Sequence, residues 1–289
     1  MLNDSEGSTG ALETLRAEID RIDDQLLTLI QQRVACVNDI ARAKQANGGR
    51  PGIRPGREAM ILRRLLAGYD NALPVQVVVR IWRELISAFC RFQSPYSVAV
   101  VAPEKSVGYW DLARSHYGTA TPTSLHRSQH VVLSTVSADS DVVGILPWPC
   151  PEGDEEPWWI QLVAGGERTP QIIAKLPFLE PGGGRFEDLS AMAVANVDPE
   201  PSGDDITLAV AVTREQVSRA RFNTEIERAG IPGHCIDSRQ ARSGGDWMQL
   251  IEIDGFVERG DPRLEALQAA EGADIERIVV LGAYAKPLH

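Results

Sequence analysis

Cysteine is scarce in this chain. Its four residues, Cys36, Cys90, Cys150 and Cys235, fall at no paired spacing, so a disulfide framework does not organise the fold. There is no run of 18 apolar residues, which excludes a transmembrane helix. The opening Met1-Leu2-Asn3-Asp4-Ser5-Glu6-Gly7 is polar and acidic and lacks the basic and apolar regions of a secretory signal, so the sequence predicts a cytoplasmic protein. No glycine-rich phosphate loop occurs, and no basic tract. The formal net charge of -11 therefore argues against nucleic acid as a partner, because phosphate neutralisation dominates such binding. His126 and His130 stand four apart with no third ligand or general base beside them, a solvated pair before a metal site.

What is present suits a soluble globular protein of two or three domains: 289 residues, 43% hydrophobic and 24% charged. The charge is uneven. Residues 1–97 hold 13 Lys and Arg against 11 Asp and Glu, and the remainder holds 16 against 29.

Residues 11–45 contain no Pro or Gly and carry an apolar stripe at steps of three and four: Leu12, Leu15, Ile19, Ile22, Leu26, Leu29, then Cys36 and Ile40. Arg33 interrupts that seam. Lys44 follows eleven residues later, about three turns on, which returns it to nearly the same face roughly 16 Å along the axis. Arg16, seventeen residues before Arg33, points well away at about 100° per residue and must serve another pocket or another chain. Charge at a core-facing position is costly unless an anion meets it, so Arg33 and Lys44 ask for a ligand, or for acidic residues of a neighbouring helix in a coiled-coil arm. A helix on the order of 50 Å is too long for a compact unit of under a hundred residues, and an intertwined helical dimer buries its stripe naturally.

After the breaker Asn47-Gly48-Gly49-Arg50-Pro51-Gly52, the string Arg54-Pro55-Gly56-Arg57-Glu58 opens a second helix with Ile61, Leu62, Leu65 and Leu66 on its apolar side. A third helix starts near Pro74 and runs through Val77, Val78, Ile81, Trp82, Leu85, Ile86, Phe89 and Phe92 to Gln93.

One long and two shorter helices with Leu15-Arg16, Ile19-x-x-Ile22-Asp23-x-x-Leu26-Leu27, Gln32-Arg33, Ala43-Lys44, Arg57-Glu58 and Gln93 resemble the all-helical chorismate mutase family over roughly residues 9–94. The resemblance implies sites shared between two chains of a homodimer, with Arg16 reaching into the partner's site and Arg33, Lys44, Arg57, Glu58 and Gln93 supplied by the other chain. It implies rearrangement of chorismate to prephenate without cofactor or metal. A dicarboxylate folds into a chair while an ether C–O bond breaks and a C–C bond forms. Arg16, Arg33 and Arg57 suit the carboxylates, Lys44 and Gln93 the ether oxygen where charge grows, and Glu58 the ring hydroxyl. Two positions depart from the family pattern: Arg54-Pro55 stands where some members place an Asp, and Phe89 where a small polar residue often lines the pocket.

From residue 95 the period changes to α/β patterning. Strands are predicted at Ser97–Ala102, His130–Val136 and Val142–Leu146, with a helix at Val107–Tyr117. Ala102-Pro103-Glu104-Lys105-Ser106 and Asp141 to Pro147 resemble worn prephenate dehydratase motifs. Lys105 replaces a turn Gly, Trp148-Pro149 replaces a Glu-Asn pair, and the family's Thr-Arg-Phe triplet falls on Ser190-Ala191-Met192. About a hundred residues remain where two lobes are needed, so the reading is a degenerate, shortened lobe at 96–200, with the Pro- and acid-rich Pro149–Pro157 and the loop Pro181–Gly184 in place of the rest, and without dehydratase activity.

Beyond the linker Asp198–Asp205, the predicted order strand 206–212, helix 214–229, strand 233–238, strand 248–255, helix 263–269, strand 278–281 is βαββαβ. With Asp237-Ser238-Arg239 it resembles the ACT domain, here 204–289. That family's Gly-Ala-Leu motif is replaced by Thr213-Arg214-Glu215. An aromatic amino-acid effector at Asp237, Ser238 and Arg239, or a dimerisation module that has lost its effector, both fit. The chain is thus expected to be an all-α mutase dimer followed by an α/β lobe and an ACT-like α+β domain, serving aromatic amino-acid biosynthesis in the shikimate pathway. The rivals are a bifunctional mutase-dehydratase and a regulatory pseudoenzyme that binds pathway partners.

Overall fold

A computed structural model describes the backbone at residues 4–46, 52–70, 72–102, 108–149, 157–166, 168–180, 189–241, 244–270 and 274–288. The chain forms two compact units, Met1–Gly52 and Ile53–His289, so the boundary falls inside the expected helical segment 9–94.

Among the described residues the first unit is one helix, α1 (Asp4–Ala46). Absence of Pro and of any interior breaker after Gly10 lets it run on, and i,i+3 pairs such as Arg21 to Glu18 lace its polar side. Its apolar stripe is exposed in the single chain: Leu15 62%, Ile19 57%, Leu26 52% and Leu29 59%.

The second unit opens with α2 (Pro55–Leu66) and α3 (Val75–Gln93). Pro55 sits in the first turn of α2 and Pro74 caps α3, positions where a missing N–H costs nothing. There follow β1 (Ser97–Val101), α4 (Gly108–Tyr117), β2 (Thr123–His126), α5 (Gln129–Ala138), β3 (Val142–Pro147), α6 (Ile160–Val163), β4 (Gln171–Leu176) and β5 (Ala191–Ala195). The last stretch is β6 (Asp205–Thr213), α7 (Arg219–Arg228), β7 (Gly233–Gln240), β8 (Trp247–Asp254), α8 (Pro262–Gln268) and β9 (Ile275–Ala285), in the predicted βαββαβ order.

Among the described residues nine strands make one sheet in the order β2-β1-β3-β5-β4-β9-β6-β8-β7. β1 lies parallel to β2 and β3, and the β6–β9 half is antiparallel. The two halves join where β4 meets β9 in parallel at Ile172 and Gly282. Gly282 has φ 138°, and a Cβ there would stand 2.2 Å from the Ile172 carbonyl oxygen, so only glycine lets the strands close. Successive residues feed opposite faces. Ala99 and Val101 join one core with Leu208 and Val210, and Val98 and Val100 join a second core, while Ala209 and Ala211 pack under Phe222 of α7 and Leu267 of α8. Burial on both faces explains the unbroken apolar runs.

Three readings are corrected. Residues 130–136 are helical, not a strand: Ser128 caps α5 by accepting from the Val131 N–H, and Val132, Leu133 and Val136 form one buried helical face. His126 ends β2 and His130 lies in the first turn of α5, so the two do not share the helix face that a four-residue spacing allows. His126 Nε2 lies 2.8 Å from Ser124 Oγ, and His130 Nδ1 lies 3.0 Å from Gln161 Oε1. The buried face of α3 is Val79, Arg83, Ile86, Ser87 and Phe89, whereas Val77, Ile81 and Phe92, expected on the apolar side, are exposed. The motif residues Pro103–Lys105, Cys150 to Glu156 and Pro181–Gly184 lie outside the described residues.

Candidate active site

The predicted site residues divide between the two units. On α1, Arg16 is exposed and Arg33 half-buried, and the side chain of Lys44 lies outside the described residues. In the second unit Arg57 is exposed on the first turn of α2, and Gln93 is half-buried in the last turn of α3.

Glu58 lies on the opposite side of α2 from solvent, 8% exposed. Its Oε2 accepts from Arg83 Nη1 at 2.9 Å, and Cys90 Sγ lies 3.8 Å from its Oε1. Burial pushes the Glu58 carboxyl up, and the adjacent Arg83 charge pulls against that. Burial likewise lowers Arg83, with Glu58 opposing. The Arg83 guanidinium lies over the Phe178 ring, 5.0 Å from its centroid. Arg83 is the residue that sequence reasoning missed. The signal was its spacing, four after Val79 and three before Ile86, on the face that is buried.

Beyond this pair the polar interior continues along α3. Ser87 Oγ lies 2.9 Å from Tyr96 Oη and also bonds the Tyr117 carbonyl, which Thr121 Oγ1 shares. His116 is buried, its pKa driven well down by burial and by the Arg83 charge, and Tyr117 is driven well up by burial.

Helix α2 is also tied to the linker before β6 and to the chain after β9. Arg63 donates to Ser202 Oγ at 2.9 Å and to the carbonyls of Asp204 at 2.8 Å and Lys286 at 2.9 Å. Arg54 grips the Glu200 carboxylate at 2.7–3.1 Å, and Gly56 packs so closely that a Cβ would sit 2.5 Å from the Glu200 carbonyl oxygen. Arg54 thus directs its charge to Glu200, and Phe89, 8% exposed, packs the helix seam.

Asp237, Ser238 and Arg239 lie on β7, an edge strand. The buried Asp237 carboxylate accepts from Ser238 N at 2.8 Å and from Arg239 Nε at 3.1 Å. Burial pushes the neighbouring Cys235 thiol up to about 11. A cavity of about 410 Å³, which no motif announced, lies between α6, α8 and β9, lined by Leu162, Gln171, Arg259, Leu264 and Leu281. Among the described residues no His, Cys, Asp and Glu cluster suited to a metal occurs, and no helix is long and apolar enough to cross a membrane.

The sequence profile of the chorismate mutase type II family matches residues 15–94. The chain is 33% identical over 84 residues to a 4-amino-4-deoxychorismate mutase of Streptomyces venezuelae, covering 28% of this chain and 80% of that protein. It is 31% identical over 140 residues to a bifunctional chorismate mutase/prephenate dehydratase of Pseudomonas aeruginosa, covering 47% of this chain and 38% of the relative, so it spans well under half of that relative's length. A prephenate dehydratase structure from Streptococcus mutans superposes on 67% of this chain and 100% of its own, at 16% identity and a TM-score of 0.46, a likeness too slight to build on.

Proposed function

The chain belongs to the chorismate mutase type II family through residues 15–94, and from that membership we propose that it rearranges chorismate to prephenate in aromatic amino-acid biosynthesis. The observation that carries this reading is the coincidence of the matched segment with the cations Arg33, Lys44 and Arg57. The reaction needs no nucleophile, cofactor or metal. It needs a dianion held in a chair and donors placed where the ether oxygen gathers charge. In this proposal Arg33 and Arg57, with Arg16 of the second copy, clamp the carboxylates. Lys44 and Gln93 meet the ether oxygen, and Glu58 orients the ring hydroxyl, its carboxylate positioned by Arg83. A millionfold acceleration needs about 8 kcal/mol, within reach of positioning plus a few preorganised donors.

The intertwined homodimer belongs to the same proposal. Exposed Leu15, Ile19, Leu26 and Leu29 on one long helix support it, since a contiguous apolar stripe of that length seeks a partner surface. For residues 204–289 the ACT-like reading draws support from the βαββαβ order and the strand order β9-β6-β8-β7. We read it as a dimerisation module without an effector, because Asp237 commits its carboxylate to Ser238 and Arg239 of its own strand. Residues 96–200 are read as a worn dehydratase lobe without that activity. Met192 is fully buried, and Trp148 stacks edge-on against Tyr284 at 6.4 Å, so both fill the core. The expected location is the cytoplasm.

The test is a spectrophotometric assay of chorismate loss by the purified full chain, with and without phenylalanine, followed by product identification. Prephenate as the accumulating product, unaffected by phenylalanine, is the expected result. Phenylpyruvate points instead to a mutase-dehydratase, and no turnover points to a pseudoenzyme.

A further inference from the structure

A second cleft in the Ile53–His289 unit shares Arg83 with the mutase reading and otherwise offers groups that reading leaves unused. It lies between α3, α4 and residues 177–179, with a volume of about 140 Å³, and is lined by Gln76, Arg80, Arg83, Leu112, His116 and Phe178 among others. Gln76 and Arg80 are exposed and form its mouth, while Arg83 at 3% and His116 at 7% exposure form its floor. Among the described residues no Asp or Glu lines it. The acid beside Arg83 in sequence, Glu84, is turned to the Thr119 N–H at 3.1 Å.

The floor is short of acceptors. A guanidinium has five N–H donors, and buried ones are ordinarily all matched. Among the described residues Arg83 gives one hydrogen bond, through Nη1 to Glu58, and its buried Nε has no acceptor. Beside it lies the face of Phe178, which attracts a cation without accepting its N–H groups. Arg80, one turn before Arg83 on the same helix, adds a second positive charge at the mouth, and Glu58 balances one of the two. Burial, and after it the Arg83 charge, lowers the pKa of His116 beside the same floor.

We propose that this cleft binds a compact oxyanion, held between Arg80 at its mouth and Arg83 at its floor. The volume admits a few waters or a carboxylate with a short tail, since one water's share of liquid is about 30 Å³. Phe178, Leu112 and Val79 give such a tail an apolar wall, and inorganic phosphate offers the same charge without the tail. Because Arg83 also holds Glu58, an occupant draws on the guanidinium that positions α2.

The experiment is a thermal-unfolding titration of the full chain with sodium propionate and, separately, inorganic phosphate, each against chloride at matched ionic strength and without chorismate. A saturable rise in Tm with either anion is expected. A larger response to propionate identifies a carboxylate with an apolar tail, and a larger response to phosphate identifies a tetrahedral oxyanion. Arg80→Glu, at an exposed position outside the mutase residues, is expected to weaken the apparent affinity about tenfold or more, as loss of one charge-assisted hydrogen bond implies. No saturable response beyond chloride overturns the proposal, and so does an Arg80→Glu protein that titrates like the wild type.

Discussion

Arg83 Nη1 donates to Glu58 Oε2 at 2.9 Å with both side chains buried, and this one contact ties the middle of α3 to the first turn of α2. Removing one partner of such a pair strands the other. Arg83→Met is expected to lower unfolding stability by about 3 kcal/mol, read from urea midpoints, and Glu58→Gln/Arg83→Met to recover most of it. A single mutant as stable as the wild type would refute the buried pairing.

His116 makes stability depend on pH with a definite sign. Its folded pKa is depressed by burial and by Arg83, whereas the unfolded value is about 6.5. The unfolded chain therefore binds the extra proton first. The contribution is fully present above about pH 6.5 and is lost as pH falls toward the folded pKa, with a slope of up to about 1.4 kcal/mol per pH unit. Urea melts at pH 7.5 and 5.5 should show this loss in the wild type and a smaller one in His116→Gln. Equal losses would remove His116 from the account.

Gly282 sits at the junction of the two halves of the sheet, where β4 meets β9. Alanine there combines a φ of 138° with a Cβ 2.2 Å from the Ile172 oxygen. A loss of about 3 kcal/mol or more follows from strain and overpacking together. Gly68→Ala, with open space around it, serves as the control and should stay near wild type in a thermal melt.

The exposed stripe of α1 predicts self-association. Sedimentation of the wild type should give a dimer, and Ile19→Glu, placed mid-stripe, a monomer with mutase activity reduced at least tenfold, since Arg16 then has no partner site to enter. A fully active monomer is the outcome that defeats the shared-site proposal.

Lys44→Ala tests the chemistry itself. Loss of one donor to the developing ether oxyanion is worth about 3 kcal/mol of transition-state stabilisation, so kcat/KM should fall roughly a hundredfold. Turnover near the wild-type level excludes Lys44 from the site.

Periodicity made much of this architecture legible. The helix 11–45 could be read because nothing in it breaks a 3.6-residue repeat, and the six elements of the βαββαβ stretch occur in the expected order, although the first helix begins at Arg219 rather than Arg214 and the last strand extends over Ile275–Ala285. Residues 130–136 misled because His-Val-Val-Leu-Ser-Thr-Val is rich in β-branched residues, and the Ser128 cap with a buried Val132–Leu133–Val136 face outweighed that preference. Strands β4 and β5 escaped notice beside the Pro- and Gly-rich segments that flank them.

The sequence by itself determined the three leading helices, the βαββαβ order of the last stretch and the cation spacing Arg16, Arg33 and Lys44 that marks the mutase segment, because helical repeat and charge placement are properties of neighbouring residues. Tertiary structure alone decided that strands from residues 97–195 and 205–285 form one sheet through a glycine contact, and that Glu58 faces Arg83 in the interior. Those relations join residues tens of positions apart, and they depend on which face of each element is covered, which no local pattern records.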